Sequence, residues 1–105
     1  MTVETLEQIK KRIAKVKADL LAIEEMRPGS LTRQFKDPKN KAGAYYQLSY
    51  TRQMKSRTEY VPREYVPELR REIRLYQRFK ALTAQWVALT IEKSRLKMKR
   101  ASRRR

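Results

Sequence analysis

Residues Gly43 to Pro62 read GAYYQLSYTRQMKSRTEYVP, and their periodicity decides the fold. Tyr46, Leu48 and Tyr50 alternate with Tyr45, Gln47, Ser49 and Thr51, a period of two that puts the two sets on opposite faces of a strand. Ser56, Thr58 and Tyr60 continue the alternation after the turn RQMK. Pro62 has no N–H to give a ladder and ends the second strand. A two-stranded β-hairpin is therefore expected over residues 44–61. Its turn contains no glycine, so the usual two-residue hairpin chemistry is missing and the turn type stays open.

The flanks read as helices. Upstream, Leu6, Ile9, Ile13, Val16, Leu20 and Ile23 are spaced by alternating threes and fours, which is a coiled-coil seam. Thr2 or Thr5 can cap this helix, and Glu4 and Glu7 suit the positive end of its dipole. It is expected over residues 3–26, ending at MRPG, where Pro28 disfavours a helical Arg27 and Gly29 permits a turn. The stripe can pack on the rest of its own chain or on a second copy. Downstream, Pro67 suits a first helical turn, and Leu69, Ile73, Tyr76, Phe79, Leu82, Trp86, Leu89 and Leu96 form an apolar face. A second row, Leu75, Val87 and Ile91, widens it, so this helix, expected over 64–98, needs more than one partner face. Residues 27–43 carry few apolar side chains and the turn signal DPKN, and read as a linker. Residues 99–105 read as a disordered basic tail. The expected fold is thus α-rich α+β: one elongated domain, residues 1–98, with two long antiparallel helices, a coiled-coil-like seam and an inserted hairpin.

The chain has 105 residues, with 27 Lys and Arg against 11 Asp and Glu, a net charge of +16. Its mean hydropathy is −0.87. Such a balance predicts attraction to polyanions, of which nucleic acid is the commonest, with an anionic membrane surface or an acidic protein as alternatives. The excess is unevenly placed. Residues 1–26 are neutral, residues 27–63 hold nine cations against Asp37 and Glu59, and residues 97–105 hold six cations and no acid. This pattern describes a binding face and an arm.

The candidate nucleic-acid-binding residues are Arg33, Lys36, Lys39, Lys41, Tyr45, Arg52, Lys55, Arg57 and Arg63 around the hairpin. In the arm they are Lys97, Lys99, Arg100, Arg103, Arg104 and Arg105. A two-stranded ribbon fits a major groove, and a tyrosine on its free face can touch a backbone or stack on a base. The competing reading packs every tyrosine on the second helix and leaves the cations as solubilising edge charge. Arg70, Arg71, Arg74 and Arg78 form a ridge expected to pair within the helix with Glu68 and Glu72. Trp86 is expected in the core.

Catalysis has little to work with. There is no Cys and no His, which removes thiol nucleophiles, thiolate metal sites and the usual general base near neutral pH. Gly29 and Gly43 are the only glycines, so there is no glycine-rich phosphate loop. No enzyme activity, cofactor, metal or small-molecule substrate is expected. The N-terminus MTVETLEQIKK has acids where a signal peptide needs cations and lacks its continuous apolar run, and the apolar clusters LLAI and WVAL are far too short to span a bilayer. A cytoplasmic protein, nucleoid-associated if DNA is the ligand, is the expectation, with no membrane partner.

The stretches RPGSL (27–31), YYQLSYT (45–51), KSRTEYV (55–61) and YQRFKAL (76–82) resemble a family of short prokaryotic proteins of unknown function, over about residues 26–98. The resemblance implies a setting near transposases and other mobile elements. Many members resembled carry a cysteine cluster between the Ser-Leu and Tyr-Tyr positions, where this chain has TRQFKDPKNKAGA. Their turn commonly holds Gly-Lys, where this chain has Met54-Lys55. The expected function is non-enzymatic binding of nucleic acid, DNA in preference to RNA, mainly through phosphates, with a homodimer or helical partner along the seam. The alternative is a structural or adaptor protein acting through coiled-coil contacts, and RNA or ribosome binding is a third reading.

Overall fold

The computed structural model describes residues 4–103, so Thr2, Arg104 and Arg105 lie outside the described residues. Its elements are α1 (Leu6–Leu21), β1 (Ser30–Asp37), β2 (Ala42–Arg52), β3 (Lys55–Val61) and α2 (Val66–Arg103), with a 3-10 turn at Arg63–Tyr65. They fall into two compact units, residues 25–77 and the remainder, and α2 contributes to both.

In the helical unit, Thr5 caps α1 through a reciprocal box. Its hydroxyl accepts from the Gln8 N–H at 3.2 Å, and the Gln8 side chain accepts from the Thr5 N–H at 2.9 Å. The expected seam is the buried face: Ile9, Ile13 and Val16 pack with Leu82 and Leu89, flanked by Leu20, Ile23, Trp86 and Leu96. The seam therefore packs on its own chain. Ile9 shares a groove with Leu96, Lys17 lies 5.3 Å from the Trp86 ring and Asp19 is 3.6 Å from Arg78, so α1 and this part of α2 run antiparallel.

Two boundaries differ from expectation. α1 stops at Leu21 instead of near residue 26, because Glu24 and Glu25 oppose the negative end of its dipole. The Arg27 N–H donates instead to the Glu72 carbonyl at 3.0 Å. At the other end, α2 continues to Arg103, where a disordered tail was expected from residue 99. Lys, Arg, Met and Ala are good helix formers, and Arg100 and Arg103 complement the negative helix end.

In the second unit the expected linker is a strand. β1, β2 and β3 form an antiparallel sheet in that order, so the hairpin has a third strand. Leu31 of β1 stands opposite Leu48, and Val61 of β3 opposite Tyr46. DPKN, read as a linker turn, is the β1–β2 hairpin turn: the Asp37 carboxylate accepts from the Asn40 N–H at 3.3 Å and from its side-chain amide at 2.9 Å. One sheet face is buried. Leu48, Val61, Val66 and Leu69 form the core there, with Leu31, Tyr46, Tyr50 and Ile73 around it.

The glycine-free turn joins Arg52 directly to its partner Lys55. Both central residues, Gln53 (φ 52°) and Met54 (φ 64°), are left-handed, the requirement of a two-residue type I′ loop. Met54 is 98% exposed, so no contact offsets the strain. Met54→Gly is expected to raise stability by about 0.5–1 kcal/mol in chemical denaturation. Gly29 behaves oppositely. At φ +134°, an added Cβ would sit 2.7 Å from Leu48 Cδ1 and 2.9 Å from the Ser49 carbonyl. Gly29→Ala is expected to cost about 2 kcal/mol or more in the same assay.

Candidate nucleic-acid interface

The sheet divides the basic residues that the sequence groups around one hairpin. Lys39 and Lys41 sit in the β1–β2 turn, with Lys36 beside it, at one end of β2. Arg52, Lys55 and Arg57 occupy the β2–β3 end. Ala42 and Arg52, the termini of β2, are ten residues apart, about 33 Å of strand. Arg33, midway along β1, faces Tyr46 across the ladder and places its guanidinium 5.2 Å from the Phe35 ring. Arg63 belongs to the 3-10 turn. Lys97, Lys99, Arg100 and Arg103 are exposed along the last turns of α2, in the helical unit. The arm is thus helical where it is described.

Acid placement sets the field around these cations. Asp37 is engaged by Asn40, and Glu59 by Arg27, whose guanidinium also lies 5.0 Å from the Tyr50 ring. The remaining ion pairs lie along the helices or join them to the segments beside α1: Lys10–Glu7, Arg12–Glu4, Lys15–Asp19, Arg78–Asp19 and Arg71 with Glu25 and Glu68. Among the described residues, Lys36, Lys39, Lys41, Arg52, Lys55 and Arg57 make no ion pair. Of the expected intrahelical pairs on the arginine ridge, Arg71 with Glu68 forms, at 2.6 Å.

The tyrosines separate by parity. Tyr46 and Tyr50 pack against the core beside Leu48, whereas Tyr45 stands on the opposite face. The register adds a residue that sequence reading passed over. Tyr60 pairs with Gln47 and so shares the Tyr45 face, where it is 70% exposed. The same alternation contained the signal, but only the pairing of β2 with β3 brings Tyr60 beside Tyr45.

The acids Glu25, Glu68 and Glu72 also meet, with one carboxylate oxygen of each within 4.8 Å of the others. Arg71 bridges Glu25 and Glu68, and the Tyr65 hydroxyl donates to Glu72, which is 7% exposed. The group is a hydrogen-bonded polar network beside the start of α2. The bond from Arg71 holds the Glu68 carboxyl below its usual range. The bond to Glu72 raises the Tyr65 phenol above its own, with desolvation and the neighbouring acids adding to the shift. A raised phenol means that the bond stabilises the fold fully below the ordinary tyrosine range, near pH 10, and is lost as pH rises through the folded-state value. Thermal unfolding from pH 8 to 11 is expected to show a steeper alkaline loss in the parent protein than in Tyr65→Phe. At neutral pH that variant should melt lower, because Glu72 loses its donor.

A sequence profile for the family described as Domain of unknown function (DUF6788) matches residues 4–71. The chain belongs to this family. The match takes in α1, the whole sheet and the first turns of α2, ending before YQRFKAL. Family membership thus covers the three-stranded sheet and both of its turns. No curated protein and no solved structure matches the chain.

Proposed function

We propose that the protein binds nucleic acid without enzymatic activity, DNA in preference to RNA, chiefly through phosphates. The carrying observation is the set of six cations at the two ends of the sheet, none of them ion-paired among the described residues. Unpaired Lys and Arg heads exchange counterions for phosphates without first breaking an internal bond. Preference for DNA is supported by the β2–β3 tip. Past the Ser49–Thr58 pair these strands bond only to each other, over three residue pairs ending at Arg52 and Lys55. A short two-stranded ribbon suits a groove about 12 Å wide and 8.5 Å deep. The exposed cations of the α2 terminus add a second, salt-sensitive contribution. In the setting implied by the resemblance, the protein would serve as an accessory factor of a mobile element, in the cytoplasm at the nucleoid.

An adaptor role is the second reading, and one observation favours it. Val87, Ile91 and Met98, which follow one another at helical spacing on α2, are 58%, 47% and 67% exposed. No helix among the described residues is long and apolar enough to cross a membrane. A helix of a protein partner or of a second copy would suit this stripe.

Fluorescence anisotropy against duplex DNA across a salt series tests the proposal. With about 6 phosphates engaged, log affinity should fall against log salt with a slope of about −5. Arg52→Glu, Lys55→Glu and Arg57→Glu together should flatten the slope and weaken binding without changing the oligomeric state. Val87→Glu with Ile91→Glu should do the reverse if the adaptor reading holds. Absence of duplex binding at moderate salt overturns the DNA proposal.

A further inference from the structure

The register places a diagonal row on the open face of the sheet. Tyr60 of β3 stands opposite Gln47, Tyr45 lies two residues before Gln47 on β2 and opposite Gln34, and Lys36 lies two residues beyond Gln34 on β1. The three side chains belong to one face and cross all three strands, each diagonal step being about 7–8 Å. The core occupies the other face, so the row is turned away from Leu48 and Leu69. Tyr60 and Lys36 are exposed and Tyr45 is partly exposed.

The chemistry of this face is unusual for a chain in which 36% of residues are charged. Gln34, Gln47, Ser49 and Thr58 surround the two rings, and among the described strand residues of this face Lys36 is the only charged one and none is an acid. Neutral amides and hydroxyls can both donate and accept. Two tyrosine rings without neighbouring carboxylates offer π-faces beside a cation and the adjoining Lys39 and Lys41. An acidic peptide would find only one cation on the face itself, and an apolar partner would find almost no aliphatic surface. Unpaired bases match every part: rings for stacking, amides and hydroxyls for base edges, lysines for phosphates.

We propose that the open sheet face is a stacking platform for unpaired bases, with one base on Tyr45, a neighbouring base on Tyr60, and the strand's phosphates drawn toward Lys36, Lys39 and Lys41. This rests on the nucleic-acid reading and deepens it by assigning the two rings of the sheet face to unpaired bases, while the cations at both ends of the sheet meet the phosphates of either ligand. Bases in a duplex are stacked on each other and cannot lie on the rings, so the rings and the cations make separable demands on the ligand.

The test uses the full chain with fluorescein-labelled single-stranded DNA, single-stranded RNA and duplex DNA at one salt concentration. Tyr45→Ala with Tyr60→Ala is expected to weaken single-strand binding by roughly tenfold or more per ring. Duplex affinity and salt slope should stay unchanged, and the paired Tyr→Phe variant should bind like the parent. The DNA and RNA arms show which sugar the platform accepts. Unchanged single-strand affinity in the alanine variant overturns the platform while leaving phosphate binding standing. Failure of the parent to bind any of the three overturns both. Should the alanine variant fail to fold, halogenated-uracil photocrosslinking of the parent decides. Crosslinks at Tyr45 and Tyr60 support the platform, and crosslinks confined to residues 52–57 overturn it.

Discussion

Leu48 is the side chain on which the sheet unit depends. It sits in the middle of the central strand, is 1% exposed, and packs with Val61, Val66 and Leu69. Its Cδ1 lies so close to Gly29 that any side chain there would collide with it. Because side chains alternate along a strand, fixing Leu48 inward fixes every other residue of β2, and pairing carries that choice to β1 and β3. Tyr46 and Tyr50 are therefore inside, and Tyr45 and Tyr60 outside. A slip of one residue would bury Gln47 and Ser49 and expose Leu48, which no other part of the sheet unit could offset.

The helical unit answers to a different constraint. Its core is narrow, with Ile9, Ile13 and Val16 on one side and Leu82 and Leu89 on the other. Cations crowd both helices, and Glu4, Glu7 and Asp19 are held in ion pairs along them. In the sheet unit Asp37, Glu59, Glu68 and Glu72 are engaged by Asn40, Arg27, Arg71 and Tyr65. What remains at the ends of the sheet is positive charge without compensation. Each such pair is worth little to stability at an exposed site, but together they decide where the field is left open to a polyanion.

The hairpin turn shows how a local rule can be overridden. Two left-handed residues without glycine are locally unfavourable, yet the ladder from Tyr46–Val61 to Arg52–Lys55 and the burial of Leu48 and Val61 leave the connection only two residues. The tertiary register dictates the loop length, and Gln53 and Met54 adopt what that length requires. The missed strand has a related cause. In SLTRQFKD, Leu31 and Phe35 share a face with Arg33 between them, so the alternation is broken at its centre. Only a neighbouring strand, with Leu48 opposite Leu31, makes the segment a strand.

By itself the sequence determined the elements whose signals are periodic and local: the α1 seam, the alternation of residues 44–61, the α2 face, a threonine cap on α1 and the turn at DPKN. It also determined the uneven charge, since that is a matter of counting. The early end of α1 and the helical course of residues 99–103 follow from local dipole and propensity, whereas the tertiary structure decided the third strand. It also decided that the basic residues lie at two ends of a sheet and that Tyr60 joins Tyr45. These depend on which segment lies beside which, and partners distant in the chain are chosen by burial of a shared core and by ladder register, neither of which leaves a mark within a single strand.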